Sequence, residues 1–165
     1  LEIDRKTVEE KLISLGAHQV FDGDIHALYY DLPGDVLRRS GLTLRLRQEA
    51  ARSVLTLKQH RENTVAKERE EIEVEVSDFD AMRSVLGALG FLIWLEMRKH
   101  RTSYTLNEAQ FEFDRYLDRY GYIPEFLEIE SRDTESLFRY AALLGFSRQE
   151  CKPWDAVDLA LHYAP

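Results

Sequence analysis

Ionisable side chains recur at every second residue over several stretches of this chain. Thr43, Arg45 and Arg47 form one such run, Thr56 and Lys58 a second, and Lys99, Arg101, Ser103 and Thr105 a third. Carboxylates take the alternate positions elsewhere: Glu71, Glu73 and Glu75, then Asp114, then Glu128 and Glu130. Lys67 and Arg69 extend the first acidic run backwards. A period of two places each run on one face of a β-strand. Guanidinium groups bind phosphate oxygens in pairs, and lysine acts on them as a point charge. Clustered carboxylates hold a divalent cation such as Mg²⁺ or Mn²⁺, which can bridge phosphates. If these faces turn inward on a closed barrel, the lumen has one cationic and one anionic wall. Such a lumen is costly unless water, ions or ligand fill it, and a polyanion with a divalent cation suits both walls. Taken singly, each charge is an ordinary solvated surface residue. The recurrence over many strands is what favours a shared lumen.

The positions between these charges define the elements that carry them. Leu42, Leu44 and Leu46 face one way along a strand over Leu42–Arg47, as do Leu55 and Leu57 over Val54–Lys58. Ile72, Val74 and Val76 make the apolar face of the Lys67–Val76 strand, and Phe111 and Phe113 that of Gln110–Asp114. Further strands are predicted over Ile25–Asp31, Arg98–Leu106 and Phe126–Glu130. Asp22-Gly23 reads as a hairpin turn, Leu32–Ser40 as a turn region, Asn107-Glu108 as a tight turn and Asp118–Pro124 as an aromatic loop. Phe91–Leu95 reads as a buried apolar stretch. Apolar spacing predicts helices over Asp4–Leu15, after a cap at Ser77 or Asp78, after a cap at Asp133 or Thr134, and over Ala156–Tyr163. Phe79, Met82, Val85, Leu86 and Leu89 form the stripe of the second helix. Three helices end in Leu-Gly, at Gly16, Gly90 and Gly145, as common helix-stop chemistry or as the trace of a duplicated unit.

The length of 165 residues fits one domain, residues 1–165, with a full core. A net charge of −8 argues against broad electrostatic binding of nucleic acid or of an anionic membrane surface. The longest apolar run, Phe91–Leu95, is far short of the roughly 18 residues a membrane helix needs. Cys151 is the single cysteine, so no disulfide closes within the chain, and a cytoplasmic home is expected. His26 and His60 are read as solvated. Tyr116, Tyr120 and Tyr122 are read as packing residues, with base stacking as the alternative.

Several stretches, in order, resemble the CYTH superfamily of triphosphate tunnel metalloenzymes. They are YYD (Tyr29–Asp31), RRSGLTLRLR (Arg38–Arg47), the strand ending at Lys58, REEIEVEV (Arg69–Val76), KHRTSY (Lys99–Tyr104), the strand ending at Asp114, and IPEFLEIE (Ile123–Glu130). That superfamily includes class IV adenylyl cyclases, thiamine triphosphatases and inorganic triphosphatases. The resemblance implies an α+β fold, an antiparallel eight-stranded β tunnel with helices packed outside. It implies that Arg45, Arg47, Lys58, Arg69, Lys99 and Arg101 bind the triphosphate. It assigns Asp114, Glu128 and Glu130 to Mg²⁺ or Mn²⁺, gives Glu71, Glu73 and Lys99 catalytic parts, and sets Arg38 or Arg39 near the tunnel mouth. The family signature, a first strand of Glu-x-Glu-x-Lys, is not carried onto Glu2, Asp4 and Lys6, because the helix follows too soon. That strand is expected either to precede Leu1 or to be lacking.

The expected function is metal-dependent hydrolysis of a small-molecule triphosphate: tripolyphosphate, ATP or thiamine triphosphate. The alternatives are cyclisation of ATP to cyclic AMP and pyrophosphate, or a non-catalytic triphosphate-binding module. Neither nucleic acid nor a membrane is an expected partner, and a homodimer is left open.

Overall fold

The computed structural model describes residues 4–60 and 69–165, with the backbone alone at 60, 69 and 70. In chain order the elements are α1 (Arg5–Ser14), β1 (His18–Asp31), α2 (Val36–Arg39), β2 (Leu42–Glu49), β3 (Arg52–His60), β4 (Arg69–Val76), α3 (Phe79–Ala88), β5 (Leu92–Leu106), β6 (Ala109–Tyr116), β7 (Phe126–Glu130), α4 (Thr134–Leu144) and α5 (Ala156–His162). The fold is α+β. Among the described residues seven strands join in the order β4-β3-β2-β1-β5-β6-β7. The pairings β1–β2, β2–β3, β3–β4, β5–β6 and β6–β7 are all antiparallel. An eighth strand is not among the described residues. The chain divides into two compact units, residues 1–23 with 99–165, and residues 24–98.

In the unit of residues 24–98, the alternation of β1 and β2 sends Leu28, Tyr30, Leu44 and Leu46 to one face, where Phe79 and Leu86 of α3 pack on them. Leu55, Leu57, Val76 and Met82 complete this core. Asp78 caps α3 by accepting a hydrogen bond from the Ala81 N–H at 2.8 Å. Two apolar expectations fail here. Val85 and Leu89 are exposed on α3, and Ile72 and Val74 are exposed on β4, which among the described residues ends the strand order and has a neighbour on one side only. Leu92 and Ile93, which open β5, are likewise exposed, so the Phe91–Leu95 stretch is not buried throughout.

In the other unit, Val8 and Leu12 of α1 and Tyr140 and Leu144 of α4 pack on Phe111, Phe113 and Tyr104. The predicted hairpin at Asp22-Gly23 is absent, and β1 runs straight through it. Asp22 instead accepts hydrogen bonds across to β5, from the His100 ring at 2.9 Å and the Thr102 hydroxyl at 3.1 Å. Those bonds hold the pair in the ladder, and Gly23 leaves room where a Cβ would stand 3.2 Å from the Phe21 ring. The turn region after β1 contains the short helix α2, because Asp31 accepts the N–H groups of Leu32, Leu37 and Arg38.

The three Leu-Gly stops share one geometry. Gly16, Gly90 and Gly145 have φ of 92°, 90° and 101°. The residue after each donates its N–H to the carbonyl five residues back: Ala17 to Leu12, Phe91 to Leu86 and Phe146 to Ala141. That is the ordinary left-handed helix terminus, and it accounts for the repetition without a duplicated unit.

Candidate functional site

Register turns the sequence alternation of residues 24–98 into rows across four strands. Tyr29 faces Arg45, Arg45 faces Thr56, and Thr56 faces Glu73. One row along, Thr43 faces Lys58 and Lys58 faces Glu71. On the other side, Ala27 faces Arg47, Arg47 faces Val54 and Val54 faces Glu75. Arg45 and Arg47 are therefore same-face neighbours on one strand, about 7 Å apart along it, with Lys58 on the adjoining strand. Lys58 Nζ donates to Glu71 Oε1 at 2.6 Å, and the Thr56 hydroxyl donates to Glu73 Oε1 at 3.0 Å. Arg47 lies 3.7 Å from a Glu49 carboxylate oxygen. The buried Nε of Arg45 has no hydrogen-bond partner among the described residues. Buried donors are nearly always satisfied, so this one marks a place for an acceptor.

The basic strand β3 and the acidic strand β4 thus stand side by side. A half-buried charge is tolerable when an opposite charge or hydrogen bond meets it nearby, and β3 and β4 supply each other with such partners.

Residues 99–130 build a second cluster. Asp114 is fully buried and Arg101 nearly so. Arg101 Nε donates to Asp114 Oδ1 and Nη2 to Asp114 Oδ2, both at 2.6 Å. Nη2 also reaches Glu128 Oε2 at 3.1 Å, and Nη1 pairs with Glu112. Lys99 Nζ donates to Asp114 Oδ2 at 2.5 Å. Glu112 faces Glu128, and Gln110 faces Glu130. Glu112, Glu128 and Glu130 can each offer an oxygen, all three within 4.8 Å of one another. Three hard oxygen donors at that spacing could hold a divalent cation.

The electrostatics follow from this crowding. Burial pushes the Glu112 carboxyl up to about 7, against the pull of Arg101 and helped by Glu128, Glu130 and Asp114. Burial also pushes Asp114 up, but Lys99 and Arg101 more than offset it, and its carboxyl stays below the usual range. Burial disfavours the Arg101 charge, yet Asp114, Glu112 and Glu128 hold its pKa well above the ordinary value.

The predicted site residues with described side chains fall into two groups. Arg45, Arg47, Lys58, Glu71 and Glu73 share the rows of residues 24–98. Lys99, Arg101, Asp114, Glu128 and Glu130 lie on neighbouring strands of the other unit. Both oxygens of Asp114 are met by Arg101 and Lys99, while Glu112 stands with Glu128 and Glu130 in the acidic trio. Arg101 in turn spends its donors on carboxylates. The Arg69 side chain and all of Lys67 lie outside the described residues, as does the His60 side chain. His26 meets Glu96 at 2.8 Å and packs beside Phe79. Tyr116 stacks on Phe126, and the Tyr122 hydroxyl donates to the Ala160 carbonyl, so both serve packing.

Comparison with known proteins places this geometry. A family model for the CYTH domain matches residues 2–149. A protein of Methanocaldococcus jannaschii that carries the provisional name adenylate cyclase is 29% identical over 111 residues, which span 67% of this chain and 63% of that protein. The structure of a protein from Pyrococcus horikoshii superposes with a TM-score of 0.79 at 23% identity, covering 96% of this chain and 94% of that one. A provisional adenylyl cyclase from Hippeastrum, described as revealing a dominant triphosphatase activity, superposes with a TM-score of 0.65 at 18% identity, covering 91% and 88%.

Proposed function

The chain belongs to the CYTH domain family, and on that premise we propose that it is a metal-dependent enzyme that binds and hydrolyses small-molecule triphosphates. The buried, unfilled donor of Arg45 carries this reading. A guanidinium placed among Arg47, Lys58 and Thr56, with an acceptor still to find, suits a phosphate oxygen. Arg45 and Arg47 grip the phosphates, and Lys58 adds charge beside them. Arg69, which continues the same strand as Glu71, is assigned to the same anion.

Glu112, Glu128 and Glu130 would hold the divalent cation, with Arg101, itself held by Asp114, pairing with Glu112 and Glu128. When bound, the cation supplies charge neutralisation at phosphate oxygens. Four carboxylates stand here against Arg101 and Lys99, so the cluster has negative charge to spare for a metal. Glu71 or Glu73, each already oriented by a donor on β3, positions the attacking water and takes its proton. The water oxygen forms a bond to the terminal phosphorus as the bridging P–O bond breaks. Positioning and charge stabilisation suffice for phosphoryl transfer of this kind. The provisional cyclase name of the archaeal relative keeps cyclisation of ATP as the second reading.

The test is incubation of the protein with tripolyphosphate or ATP and Mg²⁺ or Mn²⁺. Orthophosphate release is expected; cyclic AMP with pyrophosphate establishes the second reading instead. If Arg45→Ala and Glu130→Ala each leave binding and turnover as in the parent, the site assignment is wrong.

A further inference from the structure

Three side chains of residues 24–98 are not used by phosphate chemistry and stand beside it. Arg38, on α2, lays its guanidinium carbon 4.2 Å from the centroid of the Trp94 ring. Its Nε donates to Asp31 Oδ2 at 3.1 Å, and its Nη2 pairs with Asp35. Asp31 is buried and holds the backbone of α2, so the guanidinium is fixed at both its base and its tip. The Trp94 ring meets Tyr29 edge-on at 6.0 Å, and Tyr29 stands directly across the ladder from Arg45. The Arg38 side chain is still 40% exposed.

A simple surface ion pair does not call for this much support, since exposed pairs contribute little. What the arrangement makes is a flat cation, set over the indole and still 40% exposed. Guanidinium planes stack on aromatic heterocycles, and bases stack on Arg as they do on aromatic rings. Tyr29 links the stack to Arg45 in one step. A ligand with phosphates at Arg45 therefore has a planar platform next to it for whatever the phosphates are attached to.

We infer that Arg38, backed by Trp94, is the base-stacking platform of the site, and that the preferred substrates are nucleoside triphosphates, with inorganic tripolyphosphate lacking the group the platform holds. This rests on the triphosphate reading above. Arg38 is then a specificity residue that touches the substrate base, and Trp94 is a positioning residue that acts through it.

The test is calorimetric titration of the whole chain with ATP and with tripolyphosphate, each with Mg²⁺. The readout is the ratio of the two dissociation constants. Arg38→Lys keeps the charge and removes the plane; Trp94→Phe keeps an apolar ring and removes the indole backing. Both are expected to raise the ratio of ATP Kd to tripolyphosphate Kd, by about tenfold for Arg38→Lys, as a stacked base is lost. ATP, and not tripolyphosphate, is expected to quench Trp94 fluorescence in a Trp154→Phe background. A merely structural role lowers the melting temperature and weakens both ligands alike, leaving the ratio within twofold, and that result overturns the inference. Parent protein that binds tripolyphosphate while ATP leaves Trp94 fluorescence unchanged overturns it too. Parent protein that binds neither ligand overturns the triphosphate reading itself.

Discussion

Replacing Arg101 by Met removes a buried cation while keeping most of its volume. The guanidinium is 7% exposed and makes two 2.6 Å hydrogen bonds to a carboxylate that is 0% exposed. It also pairs with Glu112 and reaches Glu128. Breaking a buried ion pair from one side costs about 3–5 kcal/mol, because the other charge is left uncompensated. Lys99 still holds Asp114 at 2.5 Å, so the lower end, about 3 kcal/mol, is expected. For a domain of this size that is a drop of roughly 10 °C in melting temperature. The sign of the pH dependence is fixed by Glu112. Its folded pKa is already raised from 4.5 to about 7, and Arg101 is the group opposing that rise. An acid with a raised folded pKa adds stability below its unfolded pKa, and that stability is lost as pH climbs through the folded value. Without Arg101 the rise is larger, so Arg101→Met is most damaging at pH 8 and least at pH 5. Urea unfolding followed by far-UV circular dichroism, in EDTA at both pH values, measures this. A loss under about 1 kcal/mol at pH 8, or a larger loss at pH 5 than at pH 8, refutes the account of Arg101 as the counter-charge of the cluster.

Glu112→Gln is expected to act in opposite directions on two properties: Mn²⁺ binding by titration calorimetry weakens at least about tenfold, while the metal-free protein gains about 1 kcal/mol at pH 8, since a buried carboxylate crowded by three others is gone. Tyr104→Phe deletes the hydroxyl that donates to Glu9 and should cost about 1 kcal/mol near neutral pH. Burial and Glu9 push that hydroxyl up to about 12 from 10.0, so in the parent it adds stability below pH 10 that is lost between pH 10 and 12, and melting curves over this range should be flatter in Tyr104→Phe. Asp31→Ala leaves the N–H groups of Leu32, Leu37 and Arg38 without their acceptor and should cost about 2–4 kcal/mol in urea unfolding, with the Arg38–Trp94 contact loosened as well.

The strands were legible because their alternation is enforced on one face by burial: Leu44 and Leu46 must meet α3, so Arg45 and Arg47 must face away. Register was not legible. Whether Glu112 or Asp114 faces the other acids depends on how β5, β6 and β7 slide against one another, and both residues share one face of β6. The observed register sets Asp114 opposite Arg101 and Glu112 opposite Glu128, which makes the first a brace and the second a member of the trio. The signal for Glu112 was present in its position midway between Gln110 and Asp114, but position along a strand does not reveal the partner across it. The same limit hid the Arg38–Trp94 stack, whose members lie 56 residues apart on α2 and β5. It also explains the false hairpin: Asp22-Gly23 has turn composition, yet Thr102 and His100 give Asp22 long-range partners that outweigh a local preference. Exposure of Ile72 and Val74 shows the converse case. A strand with an apolar face gains burial only if something covers that face, and the α3 side chains of the core, Phe79 and Leu86, pack with β1 and β2. Chemistry-bearing side chains can therefore be picked from one-dimensional periodicity, but their division into ligand-binding and bracing groups is decided by cross-strand pairing, where a shift of two residues would exchange the parts played by Glu112 and Asp114.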